Sequence, residues 1–309
     1  MYIKENLSLI VITLICCFFS IYEPLIFEFN NISNILKQAS LIAIFSIAQS
    51  VVLITKGLDL SQGGIITVVS VSVALLSSQL NIPVAIGIGL LIGGLIGFFN
   101  GMIISNFKVS PFVVTLGVGT LFQGVALVLS QGQPIYQVPE GFSYIGWNET
   151  LRVPDIVYVL AVVSICLNFY LSNIIYGRYL FAIGSNERAS YLSGINITKH
   201  KVIAYTICGL ITSLGAMILA SRINSGHPVE GVNTALQSVA ACVIGGVSLF
   251  GGKGKVLGVI LGSLLLAFIS NSLNIINVSS YYQQIMVGII IIFAVIIDKL
   301  KSRTYEESI

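Results

Sequence analysis

The chain has 309 residues, 56% of them hydrophobic and only 9% charged, with a net charge of +3 and a mean hydropathy of +0.97. Ordinary globular domains carry about 25% charged residues, so 15 Lys and Arg with 12 Asp and Glu cannot cover a water-soluble fold of this size. That excludes a sizeable soluble domain, and basic residues scattered singly between apolar runs exclude a nucleic-acid surface; what fits is an all-α integral membrane protein.

The apolar runs fall roughly at 6–22, 36–55, 63–80, 83–105, 110–131, 154–175, 202–221, 235–250, 256–275 and 281–297. They predict about ten transmembrane helices in one transmembrane domain, 1–309, because about 20 residues cross the hydrocarbon. The first run, Leu7–Ser20 after Lys4, resembles a signal peptide. Ile21-Tyr22-Glu23-Pro24 offers no small-x-small cleavage site, which predicts an uncleaved first span. The run 235–250 is short and broken by Gly245-Gly246. It either spans or re-enters as a half-helix, the latter tolerable only where protein or water covers the backbone.

Orientation follows from Lys and Arg between the spans. Segments 23–35 and 274–280 contain none, and 132–153 has only Arg152. Lys4, Lys56, Lys108, the group Arg178/Arg188/Lys199/Lys201, Lys253/Lys255 and Lys299/Lys301/Arg303 mark six other segments. Ten spans with both termini cytoplasmic put all six inside, with Arg152 and Arg222 dissenting. Gly57–Gly64 and Gly246–Gly252 share a G-apolar-D/S-Leu-x-G-G pattern that reads as a faint internal repeat.

Little catalytic chemistry can be assembled. The five cysteines lie singly or paired inside apolar runs without a C-x-x-C, and so read as buried, inert thiols. His200 and His227 stand far apart, without a metal set or a nucleophile–base pair. Neither glycine-rich stretch fits G-x-x-x-x-G-K-[ST] or G-x-G-x-x-G, so the chain holds no phosphate loop of its own.

The longest polar stretch on the predicted cytoplasmic side is 176–201. Ser185-Asn186 can cap a two-turn helix there, Glu187 complements its dipole, and Gly194 can end it in a left-handed conformation. Such a helix can serve as a docking knob or as a plain amphipathic connector.

Gly184, Asn186, Glu187, Ala189, Ser193, Gly194 and Ile195 match G-x-N-E-x-A-A-x-x-S-G-I, the coupling-loop pattern of permeases from bacterial ABC importers of the ribose/xylose/galactoside type. The chain resembles that family over about 36–298. Gly57-Leu58-Asp59-Leu60-Ser61, Asn100-Gly101, Pro111 to Gly117, Ala240 to Gly254 and Val278 to Gln283 resemble further family segments in order. Departures are Gln62-Gly63-Gly64, where many members have V-G-S, and Ser190, where a second Ala is usual.

The resemblance implies a permease subunit of the bacterial inner membrane, not an enzyme. It would import a monosaccharide, ribose or a related pentose or hexose. Implied partners are an ABC ATPase subunit, an extracytoplasmic sugar-binding protein and a second permease, identical or related. ATP and Mg would sit on the ATPase, with no cofactor on this chain. Glu187, Arg188, Ala189 and Gly194 would be the ATPase-coupling contacts. Sugar hydroxyls stripped of water need hydrogen-bonding partners, which makes Asp59, Asn100, Thr115, Gln123, Asn271, Gln283 and Gln284 pathway candidates, with Phe112 as a stacking face. Asp59 can equally cap the third helix, and the amides can equally bind helix to helix. The competing class is an ion-coupled secondary transporter, which calls for membrane-buried acids; on the predicted spans only Asp59 comes near and no acid lies mid-span.

Overall fold

The computed structural model describes residues 24–279, 281–289, 292 and 296. The predicted first span, 6–22, lies outside them, and the last is described as helical over 281–289. After a 3-10 turn at Pro24–Phe27 come α1 Phe29–Ile54, α2 Gln62–Ser77, α3 Ile82–Phe107 and α4 Pro111–Ser130. A one-turn helix α5, Tyr144–Trp147, precedes a two-residue hairpin pair, β1 Glu149–Thr150 and β2 Val153–Pro154. Then follow α6 Asp155–Asn173, α7 Ile175–Ser185, α8 Glu187–Leu192, α9 Ile197–Ile223, α10 Gly231–Ile244 and α11 Val256–Ile275. Six of these, α1, α3, α4, α6, α9 and α11, are long and apolar enough to cross a membrane.

Local chemistry sets the ends. Pro83 and Pro111 occupy the first turns of α3 and α4, where the missing N–H is not needed. The chain leaves α3, α4 and α9 at Lys108, Gln131 and Asn224, each in the left-handed region with φ of 54°, 52° and 54°. Helix α9 starts at Ile197, five residues earlier than the apolar run, because Asn196 accepts a hydrogen bond from the Lys199 N–H at 2.9 Å and caps it.

Helix α1 is the centre of the fold. Every residue from Ala39 to Ile54 is buried, so it has no lipid face at all along that stretch. Beside it, α3 and α9 cross as closely as backbones can. Gly89, Gly93, Gly97 and Gly101 form a stripe on α3; a Cβ on Gly97 would run into the Tyr205 carbonyl, and one on Gly209 of α9 into the Gly93 carbonyl. With no hydrophobic drive between helices in lipid, such small-residue contact supplies the packing.

The face carrying α7 and α8 is termed the lower face. Helix α1 ends there, since a Cβ on Gly184 would meet the Ile54 carbonyl, and α9 begins there, tied to α8 by Lys201–Glu187 at 2.8 Å. The two helices therefore run in opposite directions. Each is followed by a seven-residue connection, a short helix and a further long helix: α1, α2, α3 and α9, α10, α11. Their packing also corresponds, α1 lying on α10 and α11 as α9 lies on α2 and α3. This is an inverted repeat about an axis across the helix layer, where Gly63 and Gly231 meet backbone to backbone at the starts of the two short helices. Gly57–Gly64 thus corresponds to the connection before α10. The sequence pattern that pairs it with Gly246–Gly252 joins two non-equivalent loops on the lower face.

On the upper face, 131–154 packs over the end of α9. Ile135 and Gly226 exchange backbone hydrogen bonds at 2.8 and 2.9 Å, and the Trp147 indole donates to the Arg222 carbonyl at 2.9 Å. Lys37 lies on this face, inside the predicted span 36–55, and its ammonium is 2.9 Å from Glu149.

Candidate functional site

Two features carry the predicted residues: the α7–α8 elbow on the lower face and a buried polar cluster above it. The elbow is built locally. Asn186 leaves the helical region and its side chain accepts from the Ala189 N–H at 2.9 Å, capping α8 as its position predicts. At the other end Gly194 has φ +82°; its N–H donates to Tyr191 O at 3.0 Å, and the Ile195 N–H donates to Ser190 O at 3.1 Å. That pair is a Schellman turn, which a residue with a Cβ closes only under strain. Ser190, in place of the usual Ala, is buried and donates back to Asn186 O at 2.8 Å, so the extra hydroxyl is satisfied.

Glu187, Arg188 and Ala189 are exposed, as are Tyr191 and Leu192, which project apolar surface from a two-turn knob. At the start of α9, His200 is buried against the rings of Tyr176 and Tyr179, its Nδ1 2.6 Å from Asn196 O. The elbow is anchored to the core through backbone. Gly184 lies against Ile54 O and the Gly252 N–H, and Gly252 itself donates to Ile54 O at 2.9 Å. Helix α7 is thus in close backbone contact with both the end of α1 and the 246–254 loop.

Between α1 and α2 the connection folds back into the helix layer. Asp59 Oδ1 accepts from the Ser61 N–H at 2.9 Å and the Ser61 hydroxyl at 2.5 Å, and Asn100 Nδ2 donates to that hydroxyl at 2.7 Å. The Gln49 amide, oriented to satisfy both its ends, pairs with the Asp59 backbone at 3.1 and 3.2 Å. Thr115 accepts from the Leu60 N–H at 3.1 Å and donates to Pro111 O at 2.8 Å. Asn100 lies seven residues from the end of α3, about 10 Å along its axis. Asp59, Asn100 and Thr115 are thus brought together, all fully buried, around one re-entering turn. Asp59 ties the turn ahead of α2 rather than bonding the N–H groups inside the helix.

The other candidates lie apart. Phe112 is half exposed on α4, and Gln123 is half buried about three turns further along it. Asn271 forms a reciprocal amide pair with Asn31, both bonds 2.9 Å; Gln283 donates to Asn274 at 2.6 Å, and Gln284 is exposed.

Sequence reasoning noted Gln62 only as a departure from the family pattern, yet its side chain joins α2 to α1, α9 and α10. Its amide donates to Phe45 O and Thr212 Oγ1, both at 3.1 Å, and accepts from Ser238 at 2.7 Å. Gln49 was missed as well. Both are uncharged amides at the edge or inside of apolar runs, the same signal that singled out Gln123.

Comparison with known proteins places this geometry. The family model described as branched-chain amino acid transport system / permease component matches residues 31–295. The ribose import permease protein RbsC of Escherichia coli K12 is 36% identical over 97% of this chain and 95% of its own. The galactose/methyl galactoside import permease protein MglC of Haemophilus influenzae is 33% identical over 97% and 95%. The D-allose transport system permease protein AlsC of E. coli K12 is 30% identical over 97% and 93%. No solved structure matches the chain. These findings bear out the resemblance read from the ordered motifs: the chain belongs to the family of permease components of branched-chain amino acid type transport systems, as a multi-pass membrane protein.

Proposed function

We propose that the chain is the translocation subunit of an ATP-driven importer for a monosaccharide, ribose first, in the bacterial inner membrane. The observation that carries the reading is the 36% identity to a ribose import permease over almost the whole of both chains, together with a capped, exposed α8 where such a subunit would meet its motor. Ten spans with both termini cytoplasmic, in a single domain over 1–309, accord with the six long apolar helices and with α7 and α8 opposite the 131–154 segment.

In this reading a separate ABC ATPase binds the lower face, and Glu187, Arg188, Ala189 and Gly194 form its contact. A sugar-binding protein delivers cargo to the upper face, and a second permease completes the pore. This chain binds no cofactor; ATP and Mg belong to the ATPase. Nucleotide binding favours one of two permease states, and only that difference in affinity can drive the switch. The backbone link from Gly184 to Ile54 and Gly252 carries the movement to α1 and to the Asp59 turn. Asp59, Asn100 and Thr115 shape the re-entering turn beside the path, with Phe112, Gln123, Asn271, Gln283 and Gln284 as its remaining candidates. The test is ribose uptake by cells depleted of ATP while the ion gradient is maintained. Uptake is expected to stop; continued uptake would favour an ion-coupled carrier.

A further inference from the structure

The connection before α10 descends deep into the helix layer. A Cβ on Gly226 would meet Ala74 and the Ser70 carbonyl of α2, and the His227 N–H donates to Ser70 Oγ at 3.0 Å. Four residues on, Gly231 touches the Gly63 backbone. The neighbouring Gln62 side chain reaches Cys208 and Thr212, which bracket Leu210 at the midpoint of α9. The start of α10 is therefore near mid-depth, and the residue before it is Glu230. The predicted spans 202–221 and 235–250 leave this acid in the connection between them.

Glu230 and Asn233 are exposed, and Thr234 and Gln237 half exposed, at helical spacing on one side of α10. Thr234 is satisfied by donating to Glu230 O at 3.0 Å. The side chains of Glu230, Asn233 and Gln237 have no hydrogen-bond or ion-pair partner among the described residues. The polar face lasts two turns; Val239, Ala240, Ala241 and Cys242 beyond it are buried. The inverted repeat sharpens the contrast. Aligning Gly63 with Gly231 pairs Glu230, Asn233, Thr234 and Gln237 with Gln62, Ile65, Ile66 and Val69, all fully buried. One half of the repeat is closed and mostly apolar there; the other is open, its polar side chains flanked by the exposed Val229 and Leu236.

An unpaired carboxylate at that depth does not face lipid; such groups face a bundle interior or water. Short helices at matching positions of an inverted repeat are also where transported solutes are held. The carboxylate offers acceptors only, while each amide offers two donors and an acceptor. Together they complement neighbouring hydroxyls on a neutral sugar. We infer that Glu230, Asn233 and Gln237 form the wetted wall along which the sugar exchanges hydrogen bonds at mid-membrane, an inference that rests on the sugar-importer reading.

The test uses the full chain assembled with its ATPase in membranes, with N233C and Q237C variants probed by a water-soluble, membrane-impermeant methanethiosulfonate. Insertion and ATPase co-purification are measured alongside, and the wild-type chain sets the background from its native thiols. Both cysteines are expected to be modified and the modification to block uptake of radiolabelled ribose. N233A and Q237A are each expected to slow uptake about fivefold, one hydrogen bond's worth, with ribose affinity of the binding protein unchanged. Cysteines that stay unmodified, sealed by lipid or by a second permease, overturn the inference, as does modification that leaves uptake intact. Should the wild-type chain carry no ribose, the ribose reading fails by itself, and the labelling still decides whether this face is wet.

Discussion

Asn186 and Gly194 hold the two ends of α8 and can be tested singly. Without the Asn186 side chain the Ala189 N–H loses its acceptor, so N186A is expected to cost about 1 kcal/mol of local helix stability. Faster hydrogen exchange over 187–192 is the readout. G194V places a β-branched residue at φ +82° and is expected to abolish uptake while membrane insertion stays normal. Asp59 separates differently. D59A strands the buried Ser61 N–H and is expected to cost about 1–3 kcal/mol, whereas D59N keeps an acceptor and should cost less. Thermal unfolding of the purified protein ranks the two; equal losses would remove Asp59 from its tying role. On the upper face, the Ser33 hydroxyl first, and then Lys37, hold the Glu149 carboxyl below the usual carboxylate range. A depressed folded-state pKa contributes stability above the unfolded value and loses it as pH falls through the folded one. Exchange protection of 149–154 is therefore expected to survive at mildly acidic pH and to be lost only at strongly acidic pH, and E149Q should remove that dependence. The cap, the left-handed glycine and the Asp59–Ser61 contact were legible because each joins residues a few positions apart. Asn100 and Gln49 were not assignable to Asp59, since helix packing alone brings α3 and α1 to that turn.

Among the elements, hydropathy found the long helices because burial in lipid or protein demands apolar side chains over a fixed length, but it missed the polar first turns of α1 and α9, which start seven and five residues before their apolar runs. It could not separate α2 from a full span, nor place the start of α10 at Gly231 rather than 235. A hydropathy run reports apolarity and says nothing of how far a flanking loop folds back. The inverted repeat was equally hidden. Helix order and direction repeat, while the side chains at matching positions, Ile65 and Asn233 for instance, do not. Counting Lys and Arg between spans also passed over Lys37, which sits within an apolar run and is neutralised by Glu149. The α3–α9 crossing gives this scale its own prediction. G97L drives a side chain into the Tyr205 backbone, for which no rotamer change can compensate. It is expected to lower the amount of folded protein in the membrane severalfold, while a change of the exposed Leu95 to alanine is expected to leave it near wild type.

For the whole molecule, a buried central helix, an inverted repeat around it and an elbow tied to its end describe a body that can be moved from one point. In the proposed reading the driving energy comes through that elbow, since neither glycine-rich stretch of the sequence fits a phosphate loop. The contact can be broken without unfolding the chain. Glu187 pairs with Lys201 in an exposed bridge, and exposed pairs contribute at most about 1 kcal/mol. E187K should therefore leave the fold intact and affect only what binds there. The decisive measurement is purification of the chain from its own membranes with cysteine cross-linking from Arg188 or Leu192. The account predicts a nucleotide-hydrolysing subunit cross-linked at α8, with both cross-link and co-purification lost in E187K. A chain that carries sugar with no such protein bound at α8 would contradict it.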